Sequence, residues 1–177
     1  MAIITVTGTP GTGKTVVARE LAKRLNYDLL ILNDFIRKKK LYEGREHGSL
    51  IVPVNKLVKE FKRIKNKKNM VVDGHLSHFL PSDFCIVLRC DPHILEKRLK
   101  KKKWHEKKIR ENIEAEILGI IISEAIANKK AKHVIELNAT KKKPTELAKE
   151  AEKCIKTGKN HMIGVDWLRC HQKWLER

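Results

Sequence analysis

Short apolar runs alternate along this chain with longer stretches whose apolar residues recur at helical spacing. Residues 2–7 read as a buried strand: Ile3-Ile4-Thr5-Val6-Thr7 is short, β-branched and closed by Gly8. Residues 14–25 carry Val17, Leu21 and Leu25 four apart, which predicts an amphipathic helix. Leu29-Leu30-Ile31-Leu32 is a second strand, followed by Asn33-Asp34 as the cap of a helix over 35–42. Gly44, Gly48 and Pro53 punctuate a connecting stretch before a helix at 54–66. Met70-Val71-Val72 and Phe84-Cys85-Ile86-Val87-Leu88 are further strands. Asp91-Pro92 then opens a helix, because aspartate caps and proline fits the first turn.

A long helical pattern at 107–128 (Ile109, Ile113, Ile117, Ile120, Ile121) precedes a strand at 133–137 and a helix at 145–157. Gly158 and Gly164 interrupt the pattern before a last amphipathic segment, 165–175. Strands alternating with helices predict a parallel sheet covered on both faces, an α/β fold of three layers. At 177 residues a single domain accounts for the whole chain.

Chemistry enters between the first strand and the first helix. Gly8-Thr9-Pro10-Gly11-Thr12-Gly13-Lys14-Thr15 fits the phosphate-loop pattern Gly-x-x-x-x-Gly-Lys-[Ser/Thr] in the strand–loop–helix context that gives the pattern meaning. Glycines let backbone N–H groups wrap a β-phosphate, Lys14 reaches the β/γ oxygens, and the Thr15 hydroxyl ligates Mg²⁺. The fold class is therefore that of a P-loop NTPase, with Mg²⁺ and ATP as its cofactors. Val71-Val72-Asp73 supplies the second acidic motif, since an acid at the C-terminal end of a neighbouring strand can hold the same metal ion or its waters. His75 stands two residues on, where it would orient an attacking water or a substrate. Within 33–53, Asp34, Arg37 and Tyr42 are candidates to receive an acceptor, with Arg37 clasping its phosphate. A second segment, Lys100 to Arg110, interrupts the helical pattern and would close over the triphosphate; Arg89 and Arg98 are either phosphate contacts or partners of nearby acids.

Composition narrows the setting. The four cysteines form no Cys-x-x-Cys pair, and no apolar run approaches the 18 residues of a membrane span, so the expectation is a cytoplasmic protein without membrane partners. Cys85 and Cys90 sit in or beside an apolar run and read as buried structural thiols. The formal charge of +18 exceeds what a small-molecule site needs; it admits a polyanionic partner, a solvated Lys/Glu surface or the steering of an anionic ligand.

Taken together, several motifs resemble one family: the phosphate loop, Asn33-Asp34 through Leu41-Tyr42-x-Gly44, Val72-Asp73-x-His75, Val87-Leu88-Arg89-x-Asp91, and Trp104-His105-Glu106-Lys107-Lys108-Ile109-x-Glu111-Asn112-Ile113-x-x-Glu116-Ile117. The chain is similar, over residues 1 to about 157, to the small adenylate kinases of archaea and of the eukaryotic nucleus, which double as maturation factors for the small ribosomal subunit. The resemblance implies phosphoryl transfer from Mg-ATP to AMP or another nucleoside monophosphate. It also implies ATP hydrolysis linked to a small-subunit ribosomal protein and rRNA processing.

By motif it implies nucleotide contacts from Gly11, Thr12, Gly13, Lys14, Thr15 and Val16. Residues 33–53 become the monophosphate-binding segment, with Asp34 and Arg37; Lys14, Asp73 and His75 are the catalytic group, and 101–111 are the lid. Lys143 falls beside the adenine, and 158–177 form a C-terminal helical extension. The chain departs from its relatives in two places: Lys102 stands where an arginine commonly opens the lid, and Ser77-His78 stand where ordinary adenylate kinases carry an arginine. Two alternatives remain open, an ATPase assembly factor with little kinase turnover and a kinase of another small metabolite.

Overall fold

The structure, a computed structural model, describes residues 1–46, 49–64 and 68–175. Gly48 and positions 65–66 of the helix expected over 54–66 lie outside the described residues. Five parallel strands, β1 (Ile3–Gly8), β2 (Asp28–Ile31), β5 (Met70–Asp73), β6 (Ser82–Arg89) and β7 (Ala131–Asn138), form one sheet in the order β2-β5-β1-β6-β7. The two-residue period of each strand decides what goes where. Ile4, Val6, Val71, Ile86, Leu88, Ile135 and Leu137 face one way and pack on α1 (Lys14–Leu25) and α7 (Pro144–Thr157).

Alternate residues face the other way. Ile3, Met70 and Val72 pack on α2 (Leu32–Lys38) and α3 (Val54–Lys62), while Cys85, Val87 and Val134 pack on α6 (Ile120–Ala127). The result is a helix–sheet–helix sandwich, as the alternating pattern predicts. A further apolar cluster joins α4 (Pro92–Lys101) to α5 (Glu106–Ile117) through Leu95, Leu99, Ile109 and Ile113. Asp91 caps α4 as expected, accepting from the N–H groups of His93 and Ile94. Cys85, Cys90 and Cys154 are buried and free, and Cys170 is exposed. Burial pushes the Cys85 thiol up to about 12 and the Cys90 thiol up to about 11, consistent with inert structural groups.

Four local expectations are corrected. Leu32 belongs to α2 and not to the strand: the pairing of β2 with β5 ends at Ile31↔Asp73, and Leu32 then turns in against Gly74. Consequently α2 starts three residues earlier than expected, with Asn33 and Asp34 inside its first turn and no side-chain cap. The stretch around Gly44 holds a small antiparallel hairpin, β3 (Gly44–Glu46) with β4 (Ser49–Ile51), too short to show as alternation.

The helix expected over 107–128 is two helices, because Gly119 adopts φ +62°, a left-handed conformation that stops α5 and restarts the chain as α6. Beyond Gly158, His161 lies parallel to β7, exchanging backbone bonds with Val134 and Glu136, and α8 (Trp167–His171) runs on into a 3-10 turn over Gln172–Trp174. Among the described residues no helix is long and apolar enough to cross a membrane.

Candidate phosphoryl-transfer site

The strand order puts β1 at the centre and sends the chain first to one side of it and then to the other. At such a switch point the loops at the C-terminal edge part and leave a crevice. Residues 8–15 occupy it. Gly8 shows why the pattern needs glycine: φ is +140°, and a Cβ there would lie 2.5 Å from the Leu88 carbonyl oxygen on β6. The loop is braced internally, the Thr9 carbonyl accepting from the Thr12 N–H (3.2 Å) and the Thr12 hydroxyl (2.9 Å). Gly13 provides α1 with no side-chain cap, so the first-turn N–H groups of Lys14, Thr15 and Val16 are left for an anion at the positive end of the helix dipole.

Register delivers the acid. Val6 and Ile31 both pair with Asp73, so the carboxylate sits between the ends of β1 and β2 and reaches across to α1. The Thr15 hydroxyl donates to Asp73 Oδ2 at 2.6 Å, while Oδ1 is buried without a hydrogen-bond partner. An orphaned carboxylate oxygen beside a hydroxyl is costly unless something cationic completes it. Thr15 and Asp73 therefore fit a Mg²⁺ site. Lys14 Nζ rests 3.5 Å from the Thr9 carbonyl. Burial lowers its pKa to about 8, against the pull of the Asp73 and Glu116 carboxylates and together with the push of Lys102.

His75 follows Asp73-Gly74 and is exposed toward the crevice. Loss of solvent at the loop wall holds its pKa below the ordinary value, the Lys14 charge adds to this, and a hydrogen bond to the Gly8 backbone opposes it. The loop that carries it is fastened from beneath: the Thr7 hydroxyl donates to the His75 carbonyl (3.0 Å), and Ser77 Oγ donates to the Val6 carbonyl (3.1 Å). His78 Nδ1 lies 3.2 Å from Thr7 Oγ1, and its Nε2 lies 3.0 Å from Glu124. Ser77 and His78 are buried anchors of this loop.

Two cavities flank the phosphate loop. One, of about 500 Å³, runs from Gly11–Val17 past Arg98, Lys101 and Lys102 to Ala139, Lys142, Pro144 and Leu147. It brings together Gly11, Thr12, Gly13, Lys14, Thr15, Val16 and Lys102 of the expected nucleotide contacts. Lys143 is exposed at the cap of α7, where its N–H donates to Glu146, and the neighbouring Lys142 lines the cavity. The other cavity, of about 320 Å³, lies beyond His75 between Thr9, His78, Glu111, Asn112, Ala115 and Glu124.

Asp34 and Arg37 are exposed on α2, whose first residue packs on Gly74. Of the residues expected to form a lid, 101–111, only Lys102–His105 are outside helices, and Trp104 packs on the α4–α5 cluster with the Lys108 ammonium 4.7 Å from its ring centre. Arg98 lines the first cavity and donates to the carbonyls of Gly11, Ala139 and Thr140, each at 3.4 Å. Arg89 is buried and paired with Glu116 and Glu136. Glu116 was not singled out as a site residue by sequence reasoning; its signal was a carboxylate on the apolar stripe of Ile109, Ile113 and Ile117.

Residues 4–119 match the family described as AAA domain. A protein of Thermococcus kodakarensis named "Putative adenylate kinase" is 40% identical over 174 residues, covering 98% of this chain and 97% of its own. One of the same name from Methanocaldococcus jannaschii is 37% identical over 175 residues, covering 97% and 96%. Among solved structures, shikimate kinase from Acinetobacter baumannii shares the fold at TM-score 0.66 and 17% identity, over 90% of this chain and 95% of that one. A gluconokinase from Sinorhizobium meliloti does so at TM-score 0.59 and 15% identity, over 88% and 92%.

Proposed function

Because this chain belongs to the AAA-domain family and, within it, with the archaeal adenylate-kinase-like proteins, we propose that it transfers the γ-phosphoryl group of Mg-ATP to AMP or another nucleoside monophosphate. The observation that carries the reading is the joint placement of Lys14, Thr15 and Asp73, with its one unpartnered oxygen, at the mouth of the phosphate loop. In this reading the first-turn N–H groups of α1 hold the β-phosphate and Lys14 neutralises the β/γ oxygens. Thr15 and Asp73 hold Mg²⁺, which supplies charge neutralisation at the transferring group. The 500 Å³ cavity receives the donor nucleoside, with Arg98, Lys101, Lys102 and Lys142 over its phosphates and base. Asp34 and Arg37 on α2 receive the acceptor.

Water as the alternative acceptor is favoured by a separate observation. The cavity beyond His75 has Glu111, Asn112 and Glu124 on its wall and, among the described residues, no lysine or arginine lining it. A phosphate monoester is itself an oxyanion nucleophile and needs cations rather than a base. Water needs an acceptor for its proton, and His75, held neutral at pH 7, is one. The charge of +18 supports a polyanionic partner. With the sequence resemblance, it underlies our proposal that this hydrolysis is linked to small-subunit maturation through a ribosomal protein and rRNA.

Measuring ADP formed from Mg-ATP with and without AMP separates the two acceptors. AMP-dependent ADP production is the expected result; its absence removes the kinase reading and leaves hydrolysis. His75→Ala is expected to lower hydrolysis by ~10²–10⁴-fold and AMP-dependent transfer much less. Equal loss of both would show that His75 does not discriminate between the acceptors.

A further inference from the structure

A single buried carboxylate joins the phosphate loop to three other parts of the molecule. Glu116 Oε2 accepts from the Thr9 hydroxyl at 2.5 Å. Its Oε1 accepts from Arg89 Nε (2.9 Å), the Cys90 N–H (3.0 Å) and the Trp167 indole N–H (3.2 Å). Arg89 also donates to the Glu116 carbonyl and to Glu136, each at 2.9 Å, and the other oxygen of Glu136 accepts from the Gly164 N–H at 2.9 Å. Arg89, Glu116 and Glu136 are no more than 3% exposed. Arg89, Glu116 and Glu136 line neither of the two cavities, and Thr9 alone of the array reaches one, the cavity beyond His75.

Thr9 is where the array meets the chemistry. Its carbonyl is the group that braces Thr12 and touches the Lys14 ammonium. The hydroxyl and the carbonyl of Thr9 share one Cα, so anchoring the hydroxyl against Glu116 restrains the position from which the carbonyl braces the loop. Glu116 in turn is held by α5, by the end of β6 and by the C-terminal segment after β7. A hydrogen bond to a buried carboxylate is strong, and its loss leaves the acceptor unsatisfied.

Resting on the phosphate-loop reading above, we propose that Glu116 is a positioning residue for the nucleotide site, acting through Thr9. Trp167 completes its set of donors, so the docked C-terminal segment contributes to nucleotide affinity from behind the loop.

The test is calorimetric titration of the full chain with Mg-ADP, alongside thermal unfolding. Thr9→Val, which keeps the shape and removes the donor, is expected to weaken binding about tenfold with a melting temperature close to that of the parent. Thr9→Ser, which restores the hydroxyl, is expected to bind within about twofold of the parent. Thr9→Val combined with Glu116→Gln should bind no more weakly than the weaker single variant, as groups acting as one unit do. Trp167→Phe, which removes one N–H from the far side of the array, should weaken binding about threefold.

Parent-like binding by Thr9→Val, full additivity in the double variant, or a binding loss that follows a fall in melting temperature would each overturn the proposal. If Thr9→Val does not fold, Trp167→Phe decides, and unchanged affinity there refutes it. A Lys14→Ala control that binds Mg-ADP as well as the parent would instead refute the phosphate-loop reading.

Discussion

Lys14 lies in a position that costs stability. Its pKa of about 8 against an ordinary 10.5 means that the folded chain holds this proton less tightly than the unfolded chain does. Between about pH 8 and 10.5 the unfolded state binds more protons, so this group makes stability rise with pH across that window and weigh against folding below it. Lys14→Met is therefore expected to raise the melting temperature at pH 7 while abolishing phosphoryl transfer, checked by scanning calorimetry and an ADP-formation assay. For the same reason Mg-ADP affinity of the parent should fall as pH passes about 8, where the ammonium discharges; a flat titration curve would contradict it.

At this scale the sequence was most informative where chemistry fixes both residue type and spacing, as in Lys14, Thr15 and Asp73. It was least informative for Lys143 and Glu116. Lys143 is one member of a lysine run whose individual side chains are distinguished only by the turn into α7. The partners of Glu116 come from positions 9, 89, 90 and 167, and no local pattern announces a contact of that separation.

Among the elements, the central sheet strands were the easiest to read, because helices cover both of their faces and each shows as a short, nearly unbroken apolar run. The α5–α6 boundary was not, since Ile117, Ile120 and Ile121 continue a helical spacing across Gly119 and the break depends on one backbone torsion. A side chain at Gly119 would suffer both the left-handed φ and a contact of 3.3 Å with Ile122. Gly119→Ala is expected to destabilise by ~1–2 kcal/mol, which urea unfolding would measure. An unchanged midpoint would mean that α5 and α6 fuse into the continuous helix that the periodicity suggests. The break between α4 and α5 is shorter than the sequence suggests for a related reason: Glu106–Lys108 look like an interruption but form the first turn of α5, with Trp104 packed on the cluster below.

Over the whole molecule, charge is the property that the fold explains least. Many lysines sit on the surface and a few acids answer them in pairs such as Lys142–Glu150 and Lys132–Asp83, leaving the net +18 to act at a distance. If RNA is a partner, affinity for a structured RNA should fall steeply and log-linearly with salt, with a slope set by the number of phosphates neutralised. A filter-binding series from ~50 to 200 mM salt would show it, and a flat line would assign the lysines to solvation alone.

The distribution of thiols has a practical consequence. Cys85, Cys90 and Cys154 are buried, with thiols that resist ionisation, whereas Cys170 stands exposed on the short helix of the C-terminal segment, beside the Trp167 turn that Glu116 holds. Thiolate-selective reagents react in proportion to ionisation and access. A maleimide dye added to the native protein near pH 7 should therefore attach once, at Cys170, countable by mass spectrometry. The molecule thus comes with a built-in address for a spectroscopic reporter, at the segment whose docking onto the back of the nucleotide site one would most want to watch.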